Sequence, residues 1–335
     1  MNFTKVPTKR PRISSHRSQF TGLNSQLTIL LSSRFIKDTA LSVGFHDCGI
    51  AEASSLPDFD ATLRSWLSLG YNADMQYMQR NADKRSDPRL LYARAKSVIS
   101  VLLSYNPSIT IDDPVKIARF AYCDDYHLRL KQMLFELIAQ IKKRYPDFNA
   151  RPFVDTAPIS DKRWAATAGL GWIGRNTLLV SPRFGSFCNI GEIVTESVVD
   201  IYDRPLENRC GSCDLCVRSC PNQALRCIDG RYMLDASRCT AYNTIENRDL
   251  QLPEGLRTGG YAFGCDICQE VCPHNRHTTV FVQVDEKQMK RLQHLASADE
   301  EEFNAVTSHT ALGRISYSQW LRNLKQAAPS TPRQS

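Results

Sequence analysis

The sequence predicts an α+β protein: helices with a mainly antiparallel sheet, then a small cysteine-rich domain, then a short helical C-terminal segment. Three observations carry this. The length, 335 residues, suits about two domains. Two strand-like runs, 177–180 and 192–195, flank Ser181-Pro182-Arg183-Phe184-Gly185, whose turn chemistry suggests an antiparallel hairpin rather than a doubly wound sheet. Nine of the 12 cysteines fall between Cys210 and Cys272.

Taken in order, residues 1–25 form a basic arm with Lys5, Lys9, Arg10, Arg12 and Arg17 and no acid. It suits either phosphate contacts or a flexible tail. Pro7 and Pro11 argue against an amphipathic transit helix, and no apolar run follows the charges as in a signal peptide. Residues 26–204 form the first domain. Helices are expected over 26–44 and 61–69, the latter continued at 74–78 and broken at Asp87-Pro88. The aliphatic run 97–103 reads as a buried strand ending at Tyr105-Asn106-Pro107. Leu130, Leu134, Leu137, Ile138 and Ile141 recur at helical spacing over 126–144, with Lys142, Lys143 and Arg144 at the end the dipole favours. A short strand at Phe153-Val154 precedes a short helix over 162–168. The cysteine-rich domain covers about 205–280. The segment 281–335 is helical around 320–328 and ends in a polar tail.

Composition excludes several classes. With 42% hydrophobic residues the chain builds a real core. No apolar run reaches the roughly 18 residues a bilayer span needs, so an integral membrane protein is excluded. The net charge of +7 is concentrated in the arm. Clustered cysteines point to metal ligation in a reducing compartment, hence a cytoplasmic location.

The first cysteine run is Cys210-x2-Cys213-x2-Cys216-x3-Cys220-Pro221, the pattern of bacterial ferredoxins. The second, Cys265-x2-Cys268-x3-Cys272-Pro273, lacks its first member, and Cys239 is the candidate replacement, with Cys227 as the alternative. In that pattern the cysteine before proline serves the other cluster. The expected sets are therefore Cys210, Cys213, Cys216 and Cys272 for one 4Fe–4S cluster, and Cys220, Cys239, Cys265 and Cys268 for the other. A pair of structural zinc sites is the rival reading. Cys48, Cys123 and Cys188 read as small buried hydrophobes.

Gly169-x-Gly171-x-x-Gly174 spells a dinucleotide fingerprint in the wrong context, with a helix before it and a strand after it. Its glycines suit either close approach of a large ligand or a plain turn. Asp155 follows a short strand among apolar neighbours, where a carboxyl has a raised pKa and serves as a general acid; a turn-initiating aspartate is the plainer alternative. His46, His127 and His274 read as structural.

These segments together resemble the epoxyqueuosine reductase family. The resemblance rests on Arg151-Pro-Phe-Val-Asp155-Thr-Ala-Pro158, Ala168-Gly-Leu-Gly-Trp-Ile-Gly174, Gly185-Ser-Phe, both cysteine runs, Cys239-Thr-Ala-Tyr-Asn-Thr-Ile-Glu246 and Gly264-Cys-Asp-Ile-Cys-Gln, with Asp125-Tyr126-His127 upstream. It implies reduction of epoxyqueuosine to queuosine at the wobble position of tRNAs with GUN anticodons (Asp, Asn, His, Tyr). It also implies cobalamin and two 4Fe–4S clusters as cofactors, a cobalamin-binding first domain related to that of reductive dehalogenases, an external electron donor and a monomer. Asp155 matches the family's proton donor. Asp155, Gly171, Trp172, Gly174, Arg175, Asn176 and Thr177 match its cobalamin-binding region, and the eight cysteines match its cluster ligands. Cys239-Thr-Ala-Tyr-Asn-Thr replaces the commoner Cys-Ile-Ser-Tyr-Leu-Thr, and the helical repeats of longer members are not seen. A reductive dehalogenase and a non-catalytic electron-transfer protein are the alternatives.

Overall fold

The computed structural model describes residues 30–107, 115–276, 278 and 286–327. The basic arm and the polar tail lie outside the described residues. The centre is a four-stranded antiparallel sheet. Ser97–Ser104 pairs with Asp47–Glu52 on one side and Cys188–Thr195 on the other, and Ala150–Val154 lies beside Cys188–Thr195 at the edge.

Every residue of Ser97–Ser104 is buried, because helices cover both faces. Side chains alternate across a strand. Ile99, Val101 and Leu103 meet Ile36 and Ala40 of helix Ser33–Val43 and the apolar stripe of helix Tyr126–Arg144. Val98 packs with Trp164 of helix Asp161–Thr167 on the opposite face. The periodicity over 126–144 therefore gives a helix of those bounds.

The expected hairpin between 177–180 and 192–195 does not form. Leu179–Val180 pairs instead with Trp172–Ile173, while Cys188–Thr195 joins the central sheet. The turn residues remain in a turn, since Ser181 and Gly185 exchange backbone hydrogen bonds at 2.8 and 2.9 Å. Thr177 is not in a strand, because its φ is +63°. The sheet is antiparallel nonetheless, and helices flank it in the α+β manner expected.

In the cysteine-rich part, short helices Leu215–Ser219 and Ile267–Glu270 carry Cys216 and Cys268. Leu225–Ile228 and Arg231–Leu234 form a hairpin through Asp229-Gly230, both at positive φ as a tight two-residue turn requires. Cys227 is exposed on that hairpin's first strand. The C-terminal helix Tyr317–Ala327 packs Trp320 with Phe263, Phe303 and Leu312. Among the described residues no helix is long and apolar enough to cross a membrane.

Candidate active site and cysteine cavities

Asp125 caps the start of helix Tyr126–Arg144, its Oδ1 accepting from the His127 backbone N–H at 2.9 Å. That cap brings the next two side chains to the end of strand Ala150–Val154, where Asp155 sits. His127 Nδ1 lies 2.7 Å from Asp125 Oδ1, and Nε2 lies 3.2 Å from Asp155 Oδ2. Tyr126 donates its hydroxyl to the same Asp155 Oδ2 at 2.9 Å, and its ring stacks on His127 at 4.0 Å. Both imidazole nitrogens face carboxylate oxygens, so both act as donors when the ring is protonated.

The electrostatics follow. The hydrogen bond to Asp155 raises the His127 pKa above its ordinary value, against the opposing pull of burial, and Asp125 adds to the rise. The same bond to His127 lowers that of Asp155, outweighing burial, with Tyr126 helping. This corrects the expectation of a carboxyl raised by an apolar pocket: the imidazolium beside Asp155 wins. His127, read from sequence as structural, is instead the hydrogen-bond partner of Asp155.

Asp155 is 52% exposed in its side chain, yet its surroundings desolvate it. Lys162 is likewise exposed by area while desolvation lowers its pKa to about 8. Asp155 is thus reachable from solvent while its neighbours partly desolvate it. Tyr77, 40% exposed, stands near it. It feels the charges of Asp155, Glu246 and Arg314, and the Arg85 guanidinium stands 5.9 Å from its ring centroid. Arg314 is bonded to Glu246 at 2.6 Å.

The eight expected cysteines fall into two groups of four. Cys210, Cys213, Cys216 and Cys272 line a cavity of about 250 Å³ together with Arg175, Arg209 and His274. Cys220, Cys239, Cys265 and Cys268 line a second, of about 240 Å³, with Phe120 and Thr177 on its wall. Cys227 lines neither. Burial and neighbouring thiols push Cys216 up to about 11, and burial pushes Cys265 up to about 12. Four thiolates in such a space need a cationic centre between them. Among the described residues no group of three or more His, Cys, Asp or Glu side chains is arranged to hold one metal ion. A tetrahedral zinc site, with ligands about 2.3 Å from the ion, leaves no such void between its sulfurs. The donor set and the space fit a polynuclear cluster.

The glycine loop is placed between the cavities. Gly174 and Arg175 line the first, Thr177 the second, and Asn176 both. Buried Trp172 turns its ring edge toward His274 at 4.8 Å. Gly171 is explained by the fold itself, since a Cβ there would lie 2.3 Å from the Val180 carbonyl oxygen. Lys162 Nζ donates to the Thr177 carbonyl at 2.8 Å, tying helix Asp161–Thr167 to the wall of the second cavity. Of the other cysteines, Cys48 is buried as expected, whereas Cys123 and Cys188 are only half-buried.

Comparison with known proteins agrees with this geometry. A family model described as a 4Fe–4S double cluster binding domain matches residues 209–275. One described as epoxyqueuosine reductase QueG, DUF1730, matches residues 85–156, the stretch that contains Asp125, Tyr126, His127 and Asp155. An epoxyqueuosine reductase of Cellulophaga algicola is 39% identical over 301 residues, covering 87% of this chain and 96% of the relative. The chain belongs to the epoxyqueuosine reductase family. It is thereby an oxidoreductase. A relative of that name from Synechocystis sp. is 40% identical, covering 82% of this chain and 98% of its own. The epoxyqueuosine reductase structure from Streptococcus thermophilus superposes with a TM-score of 0.78 at 25% identity, covering 88% of this chain and 80% of that one. A crystal structure of the family with an epoxyqueuosine-modified tRNA-Tyr stem loop superposes at 0.75 with 27% identity over the same shares.

Residue-level reading of the sequence missed His127, Tyr126, Lys162, Tyr77 and Arg85. The first two had a signal in the sequence, an aspartate N-cap directly before them, which sets the first-turn side chains at the helix mouth.

Proposed function

We propose that this protein reduces epoxyqueuosine to queuosine at the wobble position of tRNAs with GUN anticodons, with the His127–Asp155 pair supplying the proton to the departing epoxide oxygen. One observation carries the reading: an Asp125–His127–Asp155 hydrogen-bonded chain whose Asp155 end is exposed, one aromatic layer from a four-thiol cavity. Phe120, on the wall of that cavity, meets Tyr126 at 6.4 Å between ring centroids, and Tyr126 bonds Asp155.

Removing an epoxide oxygen as water to leave an alkene takes two electrons and two protons. In the bound state, a corrinoid and two 4Fe–4S clusters supply the electrons at the carbon–oxygen bond. Two buried polar atoms close enough to feel the Asp155 charge, Arg85 Nε and Asp161 Oδ1, have no hydrogen-bond partner among the described residues, which fits a large ligand rimmed with amide groups. Asp155, Gly171, Trp172, Gly174, Arg175, Asn176 and Thr177 are the proposed corrinoid-contacting set. The two groups of four cysteines are the proposed cluster ligands.

The residues of the chain do the rest. Asp155 presents a half-exposed carboxyl. His127 holds the proton that Asp155 passes on, and Asp125 fixes the imidazole ring. Tyr126 fixes the Asp155 oxygen it bonds. Tyr77, exposed and flanked by Arg85, offers a plane on which a base splayed from the anticodon loop stacks. Asp155→Asn, with iron and corrinoid content unchanged, should lose about 10²–10⁴ of turnover, the usual share of a general acid. Turnover within a few-fold of the parent removes Asp155 from the proton path.

A further inference from the structure

The two cysteine cavities differ in the charge around them. The cavity of Cys220, Cys239, Cys265 and Cys268 has no lysine, arginine or histidine on its wall, and its one charged lining group, Asp266, is 1% exposed. That cavity is joined to the acid site through Phe120 and Tyr126. The cavity of Cys210, Cys213, Cys216 and Cys272 shares only Asn176 with the first, and it is lined by Arg175, Arg209 and His274 with no acid among them. With the other cavity joined to the acid site, this one is the end left for electrons to enter.

Its cover is open to solvent. Arg209, Gly211, Ser212, Pro273 and Arg276 are exposed, and a Cβ on Gly211 would meet nothing within 4 Å. Arg175 holds this cover, donating from Nη2 to the Gly211 carbonyl at 2.6 Å. Exposed Arg204 flanks it in the chain. Arg218 and Asp214 cancel each other at 2.8 Å, Glu270 is turned to Arg119 at 3.6 Å, and Glu207 remains against Arg204, Arg209 and Arg276.

We propose that the surface over the Cys210 cavity is the docking face for a small acidic one-electron carrier protein of the ferredoxin or flavodoxin kind. This rests on the proposed function only in taking both cavities as cluster sites. Complementary charge steers such encounters and raises their rate about 10- to 1,000-fold, an effect that salt removes. Two dockings, each oxidising one carrier by one electron, supply the two electrons that, with two protons, turn an epoxide into an alkene and water.

The test uses iron-reconstituted full chain without tRNA or corrinoid. A reduced plant-type ferredoxin is mixed in by stopped flow, and bleaching of the iron–sulfur absorbance is followed over a range of salt. Calorimetry with oxidised ferredoxin gives the affinity. The expected second-order rate falls steeply with salt. Arg204→Glu combined with Arg276→Glu, both exposed and outside the cavity lining, should slow it about ten-fold or more and flatten the salt dependence, while dithionite bleaches parent and variant alike. Arg34→Glu, 92% exposed on the far side of the sheet, should change nothing. A salt-independent parental rate, or a double variant that reacts and binds like the parent, overturns the docking face. Failure of the reconstituted enzyme to deoxygenate tRNA is a separate result that bears on the proposed function alone.

Discussion

His127→Gln is the most informative single change. Glutamine keeps an N–H within reach of Asp155 but removes the cation. The bond lost is a charge-assisted one at 3.2 Å, worth about 1.5–3 kcal/mol when well shielded. Asp155 is half exposed, which places the effect at the lower end, about ten-fold in kcat. The pH profile is the sharper readout. In the parent the His127 pKa is raised, so the pair keeps its proton above the ordinary histidine value of about 6.5 and activity falls only as pH passes the raised value. In the variant only the Asp155 carboxyl holds the proton. Its pKa, freed from its largest lowering influence, rises but stays a carboxyl's, so the alkaline limb moves below that of the parent. The assay is single-turnover conversion of epoxyqueuosine-tRNA across pH, read by nucleoside mass spectrometry, with iron and corrinoid content as controls. An alkaline limb in the same place refutes the shared-proton account even if kcat falls.

Further outcomes follow from other parts of the structure. Cys239→Ser should lose about four of about eight irons on anaerobic reconstitution, and Cys227→Ser none, by iron analysis. Tyr77→Ala should weaken tRNA binding by about 1–3 kcal/mol, the range for base–aromatic stacking, and Tyr77→Phe should restore it, by gel shift or calorimetry. Glu192 is fully buried, accepts from Ser100 Oγ at 2.6 Å and has a pKa raised well above normal by burial and by Asp161. The folded state therefore binds a proton that the unfolded chain releases above its own pKa, and this stabilisation is lost as pH rises toward the folded value. Glu192→Gln should accordingly raise Tm more at pH 8 than at pH 5, and an equal shift at both removes the burial argument.

The cysteine groups were legible because their information is local. Spacing within each run and the proline after the last cysteine assign Cys220 to one set and Cys272 to the other, and the cavities bring those same sets together. Helix 126–144 was legible because its buried face is written as periodicity. The pairing of 177–180 was not. Proximity in sequence favoured a hairpin with 192–195, but the latter run is the inner partner of Ser97–Ser104, a long-range register that no local turn signal encodes. The expected rise in the Asp155 pKa failed for a related reason. Its controlling neighbour lies 28 residues upstream, brought there by a helix start meeting a strand end. Apolar neighbours in sequence said nothing of the imidazolium in space. The glycine loop was correctly set apart from dinucleotide folds, yet Gly171 serves a backbone approach within the protein.

The most direct test of the central claim is anaerobic conversion of epoxyqueuosine-bearing tRNA by reconstituted protein with cobalamin and a strong reductant. The account predicts a nucleoside lighter by one oxygen, formed only when cobalamin is present and lost in Asp155→Asn. An unchanged nucleoside from protein with its full complement of iron and bound corrinoid would contradict it.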